Sequence, residues 1–351
     1  MKKISRSTII AGIILMGLSV FVACTKTEVV TPAFQIYPGQ GASKAVVTLT
    51  GSGLKDLRTI TFDNGNINAS FNPVFNTDEA VIFRVPDDAN PGDQHIIFTN
   101  ANGYQYTVPF KVLGLPTIIS VDNYNFDEGS TITLTGKNLE DVSAVKFTGS
   151  SEVSSIVSKS ATTLVITMPA TTKYRTYLDI TNQAGTITTT EEFVSLANNF
   201  KFFDDSYQNG EQDAAWGDAG FISTTVFKTG TSSYGKNFQK GNWHQMGFGW
   251  NNISNDNYKY LTFWIKGGSI NTDFWIWTEQ TVPGPNGASD PFNNAGNKIT
   301  APANVWTYFK IPVSQLDLWK NGSTFNQIGW RLKGPDVQDE KMYLDDVMLV
   351  K

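Results

Sequence analysis

Cysteine and histidine are almost missing from this chain. One residue of 351 is a cysteine, Cys24, and two are histidines, His95 and His244. A lone cysteine forms no internal disulfide, and there is no Cys/His set to hold zinc. There is also no G-x-S-x-G elbow and no phosphate-binding P-loop. Charge is sparse: the formal net charge is −5, with no basic run. Nucleic acid needs a cationic stripe, so no such partner is expected. Past residue 23 no apolar stretch is long enough to span a bilayer. No sustained 3.6-residue period marks a helix in the C-terminal part.

The one long apolar run is at the start. Lys2, Lys3 and Arg6 precede a run from Ile9 to Ala23 that ends at Cys24. A basic start, a short apolar stretch and a small residue before the cut describe a secretory signal over residues 1–23, followed by a linker over 24–31. An uncleaved signal anchor is the alternative. The stretch "FVAC" resembles a bacterial lipoprotein signal, although Phe21 stands where Leu is usual. That resemblance implies a lipidated Cys24 as the new N-terminus. Each buried CH₂ of an acyl chain contributes about 0.8 kcal/mol, so two or three chains would anchor the protein firmly.

The next feature is an internal repeat. "VTLTGSGLKDLRTITF" at 47–62 returns as "ITLTGKNLEDVSAVKF" at 132–147. "FRVPDD" at 83–88 returns as "ITMPAT" at 166–171, and "FTNANG" at 98–103 as "ITNQAG" at 180–185. Each unit alternates apolar and polar residues in short runs broken by Gly, Asn, Asp and Pro, the pattern of antiparallel strands with tight turns. Units of this size with about seven strands suit an immunoglobulin-like sandwich. "LTGSGL" and "LTGKNL", with the "V.F" strand and "TNxxG" that follow, resemble IPT/TIG domains over 32–113 and 114–197. Neither repeat contains Trp, and both are expected to act as spacers.

From Asn198 the composition changes. All nine tryptophans lie between Trp216 and Trp330. Residues 198–351 are expected to form a jelly-roll-type β-sandwich, so the fold class is all-β, two immunoglobulin-like sandwiches followed by that third domain. Splitting its strands by their period of two gives one apolar row and one mixed row each time. Leu261, Phe263 and Ile265 sit opposite Thr262, Trp264 and Lys266. Phe274 and Ile276 sit opposite Trp275, Trp277 and Glu279. Ile328, Trp330 and Leu332 sit opposite Gly329, Arg331 and Lys333. The apolar rows must be core. Burying an unpaired charge costs more than a ring contributes, so the mixed rows are expected to face water at least in part. Exposed indoles in number mark a binding surface. An indole suits a sugar ring, which has an apolar C–H face and a polar rim.

The expected ligand contacts are Trp275 and Trp277 as stacking rings, with Glu279 and Arg331 bonding hydroxyls. Trp243 and Trp250, flanking the glycines of "HQMGFG", would extend the surface. Trp330 and Trp306 are expected in the core, Trp264 is open between core and sheet edge, and Trp216 could rim a site. The loop "TVPGPNGASDPFNNAGN" at 281–297 is long enough to form a cleft wall.

The order of parts, with the C-terminal "YLDDVMLVK", resembles the surface glycan-binding proteins of Bacteroidota, and most of all the xyloglucan-binding domain of their B-type members. The resemblance implies a lipid-anchored protein on the outer face of the outer membrane, holding a polysaccharide, a β-glucan such as xyloglucan, near an importer complex. No catalysis and no cofactor are expected, since Glu279 is the one acid placed in a Trp row. Two other classes remain: a protein–protein adhesin using the same rings, and a glycoside hydrolase. The second needs paired carboxylates about 5 Å or roughly 6.5–9.5 Å apart. Asp204/Asp205 and Asp345/Asp346 are adjacent pairs instead, and a structural Ca²⁺ there is a further possibility.

Overall fold

The computed structural model describes residues 33–281, 295–335 and 337–351. The signal segment, Cys24, the linker up to residue 31 and most of the 281–297 loop lie outside the described residues. The fold is almost entirely β, and α-helix among the described residues is limited to the single turn Val313–Leu316. Among these residues no helix is long and apolar enough to cross a membrane.

The repeat in the sequence is a repeat of core positions. In the first unit Val47, Leu49, Leu54, Ile60 and Phe62 are buried together. Their counterparts Ile132, Leu134, Leu139, Val145 and Phe147 are buried together in the second. Alternate residues of each strand point inward, so the recurring "x-Φ-T-Φ-T-G" pattern builds the same half-core twice. The first unit pairs a three-stranded sheet with a five-stranded one. In the second, the Val153–Lys159 strand joins Ala144–Phe147 on one side to Thr163–Thr167 on the other, making one seven-stranded path.

The third unit is a sandwich of a seven-stranded and a five-stranded sheet. The five-stranded sheet runs Gln212–Asp213, Trp243–Ser254, Thr324–Lys333, Thr272–Thr278, Lys298–Ala301, all antiparallel. Its inner face carries Met246, Phe248, Ile276, Ile328 and Trp330 into the core. The expected core position of Trp330 is what the structure has: the ring is fully buried, edge-on to Phe263 at 5.0 Å and Phe248 at 6.1 Å. Trp306 differs from expectation, since it is only partly buried.

The seven-stranded sheet turns its outer face to the second repeat. Trp264 stacks on Tyr124 at 6.2 Å and donates from Nε1 to the Asn123 side chain at 3.2 Å. Tyr308 donates to Asn125 at 3.0 Å, and Asn125 donates to the buried Asp346 carboxylate at 3.0 Å. Glu192 holds both Arg175 of its own domain and Lys310 of the sandwich. Val194, Leu196, Met348 and Val350 form a small apolar cluster across the same junction. The mixed row Thr262–Trp264–Lys266 therefore does not face water as expected. Its first two residues are buried, and Trp264 is covered by a neighbouring domain, which charge content alone does not reveal. The outer face of the five-stranded sheet lies on the opposite side of the sandwich from this junction.

Candidate glycan-binding face

The outer face of the five-stranded sheet gathers its polar and aromatic residues into one cross-strand row. Trp275 pairs with Lys298 on one side and with Arg331 on the other, Arg331 with Gln245, and Gln245 with Trp216. Trp216 sits outside any long strand but is fixed by two backbone bonds to Gln245, of 3.1 and 3.0 Å. Trp243 opens the Trp243–Ser254 strand, two positions before Gln245 on the same face. Trp216 is 54% exposed and Trp243 46%, while Trp275 is partly exposed.

Arg331 lies at the centre. Its guanidinium carbon is 3.5 Å from the centre of the Trp277 ring and 5.7 Å from that of Trp216. Its Nε donates to the Gln245 side-chain oxygen at 2.5 Å. Gln245 is fully buried, and its Nε2 donates to the Ala214 carbonyl at 3.0 Å. It fits because Gly329 and Gly247 lie beneath it. A Cβ at Gly329 would stand 2.3 Å from the Gln245 Cδ, and one at Gly247 2.9 Å from its Nε2. Burial pushes the Arg331 pKa down to about 10, so it stays a cation at neutral pH.

Beside this centre, Lys298 sits 5.4 Å from the Trp275 ring centre and is bonded to Asp273 at 2.6 Å. The Lys298 bond, with one from Thr300, holds the Asp273 carboxyl below its usual range. A cleft of about 350 Å³ opens between Trp243 and Trp275, closed by Ile270, Asn271, Asp273 and Pro335. The larger cleft of about 1030 Å³ is in the first repeat, between residues 68–73 and 82–88, and no Trp lines it.

The expected contact residues divide into three groups. Trp275, Trp243 and Arg331 share the face. Trp277 points to it but is 7% exposed, its ring covered by the Arg331 guanidinium, so the expectation that it faces water fails. Glu279 lies past the end of its strand, and its two oxygens accept the backbone N–H groups of Asn326 and Gln327. A carboxylate so engaged holds the chain rather than a sugar rim, which corrects its expected role. Trp250 is 61% exposed at a bulge of the Trp243–Ser254 strand, with φ of 80°. Its Nε1 donates to the Asp213 carbonyl at 3.2 Å, which places it at the edge strand. A bulky residue in left-handed backbone is costly and is kept where the surroundings impose it.

Sequence reasoning missed Gln245 and Lys298 and left Trp216 as a rim residue. No local pattern marks a Gln that becomes buried over two glycines of different strands. The acidic pairs are also engaged. Asp205 accepts the N–H groups of Thr231 and Ser232, Asp345 those of Lys228 and Thr229, and Asp204 binds Lys201. Among the described residues no group of three or more His, Cys, Asp or Glu gathers as a metal site.

The IPT/TIG domain family matches residues 116–195. No curated protein matches the chain. Among solved structures, the chain is similar to SGBP-B from a complex xyloglucan utilization locus in Bacteroides uniformis, at 16% identity over 92% of this chain and 99% of that one, with a TM-score of 0.44. It is similar to a surface glycan-binding protein from Prevotella bryantii at 16% identity over 91% and 98%, with a TM-score of 0.45. It is similar to a family 30 carbohydrate-binding module at 22% identity over 43% of this chain and 87% of that one, with a TM-score of 0.31. Residues 116–195 are an IPT/TIG domain, and the described residues of the chain are almost all β.

Proposed function

We propose that the protein binds a polysaccharide, without cleaving it, on the outer face of its C-terminal five-stranded sheet. The observation that carries this reading is the set Trp216, Trp243 and Trp275 around an Arg331 clamped on Trp277. Covering one indole face removes about 100 Å² from water, roughly 2.5 kcal/mol gross. Three such contacts, roughly 7 kcal/mol gross less several kcal/mol for association and ordering, leave about 4 kcal/mol or less, which is millimolar binding. That strength suits a polymer, which offers many equivalent sites. A β-linked glucan backbone such as that of xyloglucan, with its sugar faces spread along an extended chain, is the reference ligand.

The acids beside the face support binding over hydrolysis. Asp273 is bonded to Lys298 and Thr300, and Glu279 to backbone N–H groups. Lipid attachment at Cys24, in the segment outside the described residues, would hold the chain on the outer membrane. The two repeats would then carry the sandwich outward, beside a glycan importer complex. The direct test is electrophoresis of the mature chain through gels containing xyloglucan, mixed-linkage glucan, mannan or xylan, with reducing ends assayed in parallel. Retardation without new reducing ends is the expected result. Unretarded migration in every gel, or release of sugar, would overturn the reading. Loss of membrane association in Cys24→Ala tests the anchor separately.

A further inference from the structure

Arg331 is a cation with no counter-charge among the described residues. Its Nε is taken by Gln245, and no described residue accepts from either Nη nitrogen. No acidic side chain among the described residues forms an ion pair with it. Other cations are treated differently: Lys298, beside Trp275, is paired with Asp273, and Arg175, at the far junction, is paired with Glu192. Burial alone moves the Arg331 pKa down, with no acidic neighbour opposing it. A partly buried charge without a partner is costly and is normally compensated. The Trp277 and Trp216 rings supply part of that compensation through their π faces.

The orientation is equally informative. Stacking on Trp277 fixes the plane of the guanidinium, and the Gln245 bond fixes its rotation within that plane. What remains is a pre-set fork of N–H donors on the face where the indoles stand. Such a fork matches the two oxygens of a carboxylate. Neutral hydroxyls could be met by an amide side chain, with no charge to desolvate. The chain as a whole is net −5, so this face sits in a repulsive field for a dense polyanion. One fixed positive centre among indoles fits a single acidic sugar in a mostly neutral chain.

We propose that the polysaccharide bound here carries a uronic acid, whose carboxylate is received by Arg331. This rests on the reading of the face as a glycan site and names the chemical class of its ligand. The test uses calorimetry on the full mature chain with two matched pairs of glycans. One pair is a β-glucan and its partially C6-oxidised form. The other is a glucuronic-acid-bearing xylan and its carboxyl-reduced form. The acidic member of a pair should bind about tenfold tighter at low salt, and the advantage should shrink as ionic strength rises to about 0.5 M. It should disappear in Arg331→Gln and survive in part in Arg331→Lys. Lowering the pH below the range of the sugar carboxylate should remove it in the wild-type chain, a measurement that needs no variant to fold.

Equal binding of both members would overturn the uronic-acid assignment and leave the glycan site standing. No binding of any member would overturn both. An undiminished advantage in folded Arg331→Gln would place carboxylate recognition elsewhere.

Discussion

Trp275 and Trp277 stand two residues apart on one strand face, yet they have different work. Trp275 borders the open cleft, whereas Trp277 is the buried bed on which Arg331 rests. Trp275→Ala should weaken glycan binding by about tenfold or more while stability changes by less than about 1 kcal/mol. Trp277→Ala should destabilise the domain by about 3–5 kcal/mol, the range for a large ring lost from a packed site. Chemical denaturation beside calorimetric titration separates the two effects. The shared face of the two rings is legible from the period of two. The burial of one is not, because the residue that covers it lies on another strand, more than fifty positions away. Glu279 was misread for a similar reason: the N–H groups it holds are those of Asn326 and Gln327.

A second residue-scale effect concerns pH. Glu211 is buried, its two oxygens lack hydrogen-bond partners, and desolvation pushes its carboxyl up to about 7. The folded chain thus holds this proton more tightly than the unfolded chain does. The contribution of Glu211 to stability is greatest below its ordinary pKa of about 4.3 and falls as pH rises toward 7. Glu211→Gln should therefore stabilise the protein by roughly 3 kcal/mol at pH 8 and by almost nothing at pH 4. Thermal midpoints of the two chains at the two pH values check the sign.

At the scale of the element, the proposed binding face depends on a side chain buried beneath it. Gln245 lies over Gly329 and Gly247, and only that position lets it hold Arg331. Gly329→Ala would place a methyl group 2.3 Å from the Gln245 Cδ, so Gln245 must shift and Arg331 loses its anchor. Affinity should fall several-fold, with a destabilisation of about 1–3 kcal/mol from overpacking. Titration of this variant against a Gly329→Ala/Gln245→Ala double variant tests the route: the double variant should show no further loss from the Gly329 change. Gly247 was visible in the sequence, among the glycines of "HQMGFG", as a place of close approach, whereas Gly329 was only one member of a mixed row. What approaches them was not, since it requires the cross-strand register of Gln245 with Arg331.

At the scale of the whole molecule, the repeats were legible because each repeats its own core, position by position. The junction between the second repeat and the sandwich was not legible. Its parts come from distant segments: Tyr124 on Trp264, Asn125 on Asp346, Glu192 between Arg175 and Lys310. Glu192 is buried and holds two cations, so Glu192→Ala strands both and should cost about 3–5 kcal/mol. The junction should loosen before either domain unfolds. Scanning calorimetry is expected to show two transitions for this variant and a single coupled one for the parent chain. Through this junction the seven-stranded sheet, and not the indole face, is turned to the second repeat.

The central claim is that the exposed indoles of this face bind glycan. Calorimetric titration of the mature chain with xyloglucan and a panel of uronic-acid-bearing glycans, beside a Trp243→Ala/Trp275→Ala double variant, tests it most directly. The account predicts binding in the parent chain and its loss, by about 100-fold or more, in a double variant with unchanged circular dichroism. Undiminished affinity in that folded variant would contradict it.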